Sequence, residues 1–386
     1  MTLAQKARAL HARLGGKFSI TPKTALTPKN LSLLYTPGVS DIVEEISKNK
    51  KEVYRYTIKH NSVAVVSDGS RILGLGNRGA EAALPVMEGK AILFKEFANI
   101  DAFPLCVRTQ DPDEIVSLVR NIAPVFGGIN LEDLSTPKCF YIEEALQDLG
   151  IPVMHDDQHG TAIVILGALI NAARVVKKPF EELKVVINGA GAAGTAAARL
   201  LSCAGHEKNL CQSVRDILVC DSKGILHHER KDLEPYKQDL VRITNKQRKS
   251  GTLQDALHGA DVFIGVSAPK VLSPQYIRLM ERNPIVFALA NPVPEIMPQE
   301  AQKAGAAVVA TGRSDFPNQV NNVLAFPGVF RGALDARAPQ ITNAMKLAAA
   351  FAIAQTVKKP SASHILPSPF DKHVVKNVAR AVIKNS

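Results

Sequence analysis

Six residues limit the fold of this chain more than any others. Gly189-Ala190-Gly191-Ala192-Ala193-Gly194 follows directly on the apolar run Val185-Val186-Ile187 and opens an alanine-rich stretch, Thr195 to Leu201. A strand that turns sharply into a helix through glycines leaves backbone N–H groups, and the positive end of the helix dipole, facing outward as an anion site. The next apolar run, Ile217 to Cys220, ends in Asp221, 27 residues past Gly194. That spacing is somewhat long, and the polar insert Gly205 to Arg215 accounts for it. The arrangement reads as the phosphate turn of a dinucleotide fold, with Asp221 accepting hydrogen bonds from the adenosine ribose. Gly189, Gly191, Ala192, Ala193, Gly194 and Asp221 are the expected cofactor contacts. A carboxylate at that point repels a 2′-phosphate, so NAD is expected over NADP, a preference that Lys223 softens.

The sequence around this loop alternates. Short apolar runs at Lys184–Asn188, Asp216–Cys220, Asp261–Val266, Ile285–Ala290 and Ala307–Thr311 are separated by helical patterns, which predicts a doubly wound parallel sheet with helices on both faces. Upstream, Val63–Ser67 reads as a buried strand, Ile115–Ile122 as a helix, and Cys139–Leu149 as a helix stopped by Gly150. A long apolar helix is expected from about Thr161 to Val176, and an alanine-rich one from Ile341 to Val357. The fold class is therefore α/β, with a mixed N-terminal domain (1–158) followed by a Rossmann-type domain with C-terminal helices (159–386). The longest candidate apolar stretch, Thr161 to Ala173, has polar ends and is shorter than the ~20 residues of a membrane helix. No further module is expected after residue 386.

The net charge of +11 is spread along the chain, and there is no Trp, so a nucleic-acid surface with stacking platforms is not expected. A diffuse positive field instead suits small anions. Cys106, Cys139, Cys203, Cys211 and Cys220 include no CxxC pair and read as free thiols of a reducing compartment. No acid precedes Asp41, as in a transit peptide, but Leu31 to Tyr35 already reads as folded sequence. A cytoplasmic protein is expected.

A second glycine string, Gly74-Leu75-Gly76-Asn77-Arg78-Gly79, lacks a clean preceding strand and soon meets Pro85. It reads as a turn whose glycines permit close backbone approach. Two acid pairs, Glu132-Asp133 and Asp156-Asp157, follow short apolar runs and end in loop-like residues. If strand ends bring them together, their oxygens suit Mg²⁺ or Mn²⁺. His155 and His159 have zinc-ligand spacing, but the string His-Asp-Asp-Gln-His is not the hydrolase pattern HExxH.

These strings together resemble the malic enzyme family, closest to its short bacterial type, over about residues 15 to 358. The resemblance is carried by Leu-Tyr-Thr-Pro-Gly-Val at 34–39, Asp-Gly-Ser-Arg-Ile-Leu-Gly-Leu-Gly-Asn at 68–77, Val-Met-Glu-Gly-Lys at 86–90 and Gly-Gly-Ile-Asn-Leu-Glu-Asp at 127–133. It continues in His-Asp-Asp-Gln-His-Gly-Thr-Ala at 155–162, the glycine loop, Ala-Asn-Pro at 290–292 and Asn-Asn-Val-Leu-Ala-Phe-Pro-Gly at 321–328. It implies Tyr35 as general acid, Lys90 as general base, and Glu132, Asp133 and Asp157 as metal ligands. Asp156 is then a residue that orients its neighbours. Arg71, Asn291 and Asn322 are implied against malate, with Asn291 also against the cofactor. Arg78 and Glu81 depart from the small or apolar residues expected after the second glycine string.

The implied reaction converts malate and NAD(P) to pyruvate, CO₂ and NAD(P)H, with a divalent cation. Lys90 must be neutral to act as base, and partial burial beside a cation would lower its pKa. A malolactic reaction and a non-catalytic dinucleotide sensor are the alternatives. A homodimer or higher homo-oligomer is expected from the resemblance.

Overall fold

The alternation resolves into two separate sheets in the computed structural model, which describes residues 2–205 and 211–386. The first sheet contains β1 (Ser62–Ser67), β2 (Asp101–Cys106), β3 (Gly128–Leu131) and β4 (Val153–His155), in the order β2-β1-β3-β4, all parallel. The second contains β5 (Lys184–Asn188), β6 (Asp216–Asp221), β7 (Gly224–Ile225), β8 (Val262–Gly265), β9 (Ile285–Ala288) and β10 (Val308–Thr311). Its order is β10-β9-β8-β5-β6-β7, parallel except for β7, which turns back on β6. The chain leaves β5 toward β6 on one side and returns to β8 on the other. The crevice beyond the carboxyl end of β5 is therefore the switch point where such sheets bind ligands.

The strands expected after residue 180 are all present, within a residue or two at each end. The largest difference lies at the second acid pair. Asp156 and Asp157 are not in a loop; they form the first turn of the helix Asp156–Val176, capped by His155. Acids are favourable there because they face the positive end of the helix dipole. Pro85 likewise does not end a helix, because Ala80–Ala98 runs through it. The helix expected at Cys139–Leu149 spans Lys138–Ala145, and the chain then turns at Gly150 with φ +69°.

The helix Asp156–Val176 forms the middle of the molecule. It is the one helix among the described residues long and apolar enough to cross a membrane, and most of its apolar stretch is buried in the core. A single cluster of buried side chains joins Val63, Val65 and Phe94 around the first sheet to Ile163–Leu169 on this helix and to Ile187 in the second sheet. The C-terminal segment returns to the first sheet. Phe94 packs edge-on against Phe326 and Phe330 at 4.7 and 5.4 Å between ring centroids. At Gly128 a Cβ would meet the Phe330 ring at 3.2 Å, so the small residue admits the ring.

Two features differ from expectation. Cys203 and Cys211 are joined in a disulfide, while Cys106, Cys139 and Cys220 are free. The helix Ala192–Leu201 ends just before Cys203, whose φ of +59° turns the chain, and the two Cα atoms come within 5.7 Å. The N-terminal segment is folded locally but buries almost nothing. The helices Leu3–Leu14, Leu31–Leu34 and Val39–Lys48 contain no buried residue, and Leu26, Leu33 and Val43 stand exposed.

Candidate active site

A cavity of about 740 Å³ opens between the two sheets. Its walls come from segments far apart in sequence. The loop after β1 gives Arg71, Leu73 and Gly74; the helix Ala80–Ala98 gives Lys90; the end of β3 gives Glu132 and Asp133; the central helix gives Asp157. From the second half come Ala192 and Ala193 of the glycine turn, Val266 and Ser267 after β8, Asn291 after β9, and Asn322. Seven of the residues singled out in the sequence thus share one cavity with the glycine turn.

The second glycine string makes this junction possible. Gly74 has the carbonyl oxygen of Asn291 where a Cβ would sit, at 2.1 Å, so only glycine lets the two halves meet here. The expected close backbone approach is found. Arg78 Nε donates to the Leu75 carbonyl at 3.1 Å and stitches the loop, while Glu81 pairs with Arg108 at the surface. Arg71 lies against the glycine turn, its guanidinium 3.2 Å from the position of a Cβ on Gly191.

Lys90 is the centre of the floor. It is 6 % exposed, with Nζ 2.5 Å from Asp156 Oδ2, 2.9 Å from Glu132 Oε1 and 4.0 Å from the centre of the Phe326 ring. Burial alone pushes its pKa down, but the Asp156 and Glu132 carboxylates more than offset that and hold the ammonium protonated. The expected lowering concerned Lys90 beside a cation; with these two carboxylates against it the shift is upward. Asp156 is wholly buried and its Oδ1 has no partner. At Gly160, a turn further on, a Cβ would lie 1.8 Å from that atom.

The remaining acids crowd beside this pair. Asn130 Nδ2 donates to Glu132 Oε2 at 2.8 Å, which fixes its other oxygen toward Lys90. Asp133 sits in left-handed backbone, φ +55°, and its N–H donates to Asp157 Oδ2 at 2.9 Å. Burial and the neighbouring Asp157 charge push the Asp133 carboxyl up to about 7. Burial raises Glu132 as well, with three other carboxylates adding to it. Burial also pushes Asp157 up, but the adjacent His155 imidazole, 3.3 Å away, more than offsets it.

Among the described residues no three His, Cys, Asp or Glu side chains converge tightly enough to hold an ion as they stand. Glu132 is paired with Lys90 at 2.9 Å. The donor set nonetheless suits a hard divalent cation. Glu132, Asp133 and Asp157 all line the cavity, and Asp133 Oδ2 is buried with no partner.

Two expected residues stand differently. Tyr35 is 66 % exposed on the N-terminal segment and does not line the cavity. Asp221 lies at the tip of β6, but its carboxylate is already filled. Oδ1 accepts from Lys223 N at 3.0 Å and Arg230 Nη1 at 2.8 Å; Oδ2 accepts from Arg230 Nη2 at 3.0 Å and Lys237 Nζ at 3.3 Å. A carboxylate has about four acceptor positions, so none is left over for a ribose. Sequence reading missed Arg230, which lies in a polar stretch with no periodicity. It also missed Glu143. One Glu143 oxygen accepts from His155 N at 2.9 Å, and the other lies 2.8 Å from Gln158 Nε2 and 3.0 Å from His159 Nε2. Glu143 thus pins the turn that carries Asp156 and Asp157, and it gives His155 and His159 structural surroundings rather than a zinc site.

Comparison with known proteins agrees with this geometry. Residues 16–147 match the family model for the malic enzyme N-terminal domain and residues 158–386 that for the malic enzyme NAD-binding domain. The bifunctional malic/malolactic enzyme of Bacillus subtilis is 52 % identical over all of this chain and 93 % of its own length. The NADP-dependent malic enzyme of Escherichia coli is 44 % identical over 96 % of this chain, which spans half of that longer protein. The crystal structure of the NAD-dependent malic enzyme of Thermotoga maritima superposes with a TM-score of 0.92 at 48 % identity, covering 98 % of each chain. The chain belongs to the malic enzyme family.

Proposed function

We propose that the chain oxidatively decarboxylates malate to pyruvate and CO₂ with reduction of NAD(P), using Lys90 as base and Tyr35 as acid. The observation that carries this reading is a buried lysine facing acids on the floor of a cavity whose wall is a dinucleotide turn. Malate brings two negative charges, and Arg71 at the cavity edge offsets part of them, with Asn291 and Asn322 as neutral hydrogen-bonding partners. Lys90 takes the proton of the C2 hydroxyl as the hydride leaves C2 for the nicotinamide. Loss of CO₂ from oxaloacetate leaves an enolate, which Tyr35 protonates at C3. Mg²⁺ or Mn²⁺ held by Glu132, Asp133 and Asp157 supplies a Lewis acid for the carbonyl oxygen when bound. With Glu132 engaged by such a cation, one carboxylate fewer would face Lys90, and burial would favour the neutral amine that a base requires.

Tyr35 does this work from a second copy of the chain. Its exposure, and that of Leu31, Leu33 and Leu34 beside it, leaves an apolar segment with no partner among the described residues of its own chain. A homodimer in which each N-terminal segment closes the other's cavity covers that surface and completes both sites.

The cofactor reading also changes. With its oxygens occupied by Arg230 and Lys237, Asp221 no longer presents a bare carboxylate against a 2′-phosphate, and both NAD and NADP are read as acceptable. Malolactic conversion is the second reading, favoured by the named activity of the Bacillus subtilis relative.

A malate-dependent rise in absorbance at 340 nm, run with each cofactor and with and without Mn²⁺, tests the function. Activity is expected with Mn²⁺ and is lost by at least ~100-fold in Lys90→Ala; lactate without free NAD(P)H would point to the second reading. Lys90→Ala and Tyr35→Phe, each nearly inactive, should regain about a quarter of wild-type activity when unfolded together and reassembled, because mixed dimers hold one intact site. No recovery would place both residues in one chain. Burial and the Asp157 charge push the Asp133 carboxyl up to about 7, so it gains a proton and loses its charge as pH falls through that value. Mn²⁺ affinity should accordingly be about tenfold weaker at pH 6 than at pH 8, read by titration calorimetry. Arg230→Ala frees the Asp221 carboxylate and removes a cation, so the ratio of kcat/KM for NADP over NAD should fall by ~10-fold or more.

A further inference from the structure

We propose that Glu295 is a positioning residue for the nicotinamide end of the cofactor. Its carboxylate has no exposure at all and is surrounded by the core of the second sheet, yet it meets no cation among the described residues. One oxygen accepts from Ser267 N at 3.1 Å and the other from Ala290 N at 3.0 Å. These two N–H groups belong to the loops that leave β8 and β9, and Ser267, Ala290 and Asn291 all line the cavity.

The sequence makes room for this contact. At Gly265 a Cβ would lie 2.4 Å from the Glu295 carboxyl carbon, so the strand can carry only glycine there. The link extends to β5, where Asn188 Nδ2 donates to Ser267 Oγ at 2.9 Å. The ends of β5, β8 and β9 are thus tied together by one buried acid and one serine. Gly74 on one side and Gly312 on the other give Asn291 its place: a Cβ on Gly312 would meet Asn291 Nδ2 at 2.6 Å.

The direction of the cofactor follows from topology. The pyrophosphate lies on the glycine turn after β5, and Asp221 marks the adenosine side at β6. The other half of the dinucleotide must cross to β8 and β9, the two loops that Glu295 fixes. A buried carboxylate costs more than an apolar side chain at the same place. Its return here is geometric: it sets the spacing of two loops that face the ring and the substrate.

This inference rests on the malic enzyme reading, and its test separates the two. NADH and ADP-ribose, which lacks the nicotinamide, are titrated against the full-length wild type and Glu295→Gln. The carboxamide keeps one acceptor but turns an NH₂ group toward a second N–H donor. The Kd for NADH should rise about tenfold while that for ADP-ribose stays within about twofold, and Mn²⁺ affinity should be unchanged. Gly265→Ala, which leaves the acid but drives it off its two donors, should give the same split. Equal losses for both ligands, or no loss in either variant, overturn the proposal. If Glu295→Gln does not fold, the Gly265→Ala titration decides by the same split. A wild type that binds neither ligand overturns the functional reading itself.

Discussion

The rest of the site depends on one buried ammonium. Lys90, Glu132 and Asp156 lie on three different elements, each nearly or wholly out of water. Removing charges from water costs several kcal/mol per ion unless opposite charges and hydrogen bonds replace the solvent. Glu132, Asp133, Asp156 and Asp157 could not all ionise within one cavity floor without a cation among them. Lys90 is that cation, with the Asn130 amide and the Asp133 N–H taking up further lone pairs. The helix Ala80–Ala98, the end of β3 and the first turn of Asp156–Val176 are therefore held in register by electrostatics as well as by packing.

This explains why the two halves share a core. If they only touched across a polar surface, the cavity between them would widen and narrow with each relative movement. The apolar cluster runs from the first sheet through the central helix to the second, and Phe326 and Phe330 carry the C-terminal segment back against Phe94. Phe326 serves twice, since its ring also lies under the Lys90 ammonium. Packing and charge thus converge on the same side chain, and the cavity floor inherits the rigidity of the core.

What could be read from the sequence, and what could not, follows from the range of each interaction. The glycine turn and the strands of the second sheet were legible because their signal is local: an apolar run, a glycine, an alanine-rich helix. The acid pairs were legible as chemistry but not as structure. Asp156 and Asp157 looked like loop residues because helix-first-turn acids and loop acids have the same composition. The partners of Asp221 were invisible for another reason. Arg230 and Lys237 reach it from a polar stretch whose residues follow no period, and only the fold shows that all its acceptor positions are used. Glu295 and Gly265 each read as unremarkable, since their fit is a contact between elements 30 residues apart.

The two ends of the cofactor crevice are built on opposite principles. At the adenosine end Asp221 belongs to a network that includes Lys223, Arg230, Asp232 and Lys237, part of it open to solvent. Solvent and salt screen its exposed members, Lys223 and Asp232, whereas Arg230, Lys237 and Asp221 are largely buried, so changing one of them shifts local packing as well as local charge. At the other end a single fully buried acid holds two loops through their backbone, and any change there leaves an unsatisfied group in the core. Under the proposed function, a change in the Asp221 network alters which dinucleotide is preferred, while the loops at the other end stay held through their backbone. On that reading the spacing from the nicotinamide side to Lys90 is set by groups taken out of water.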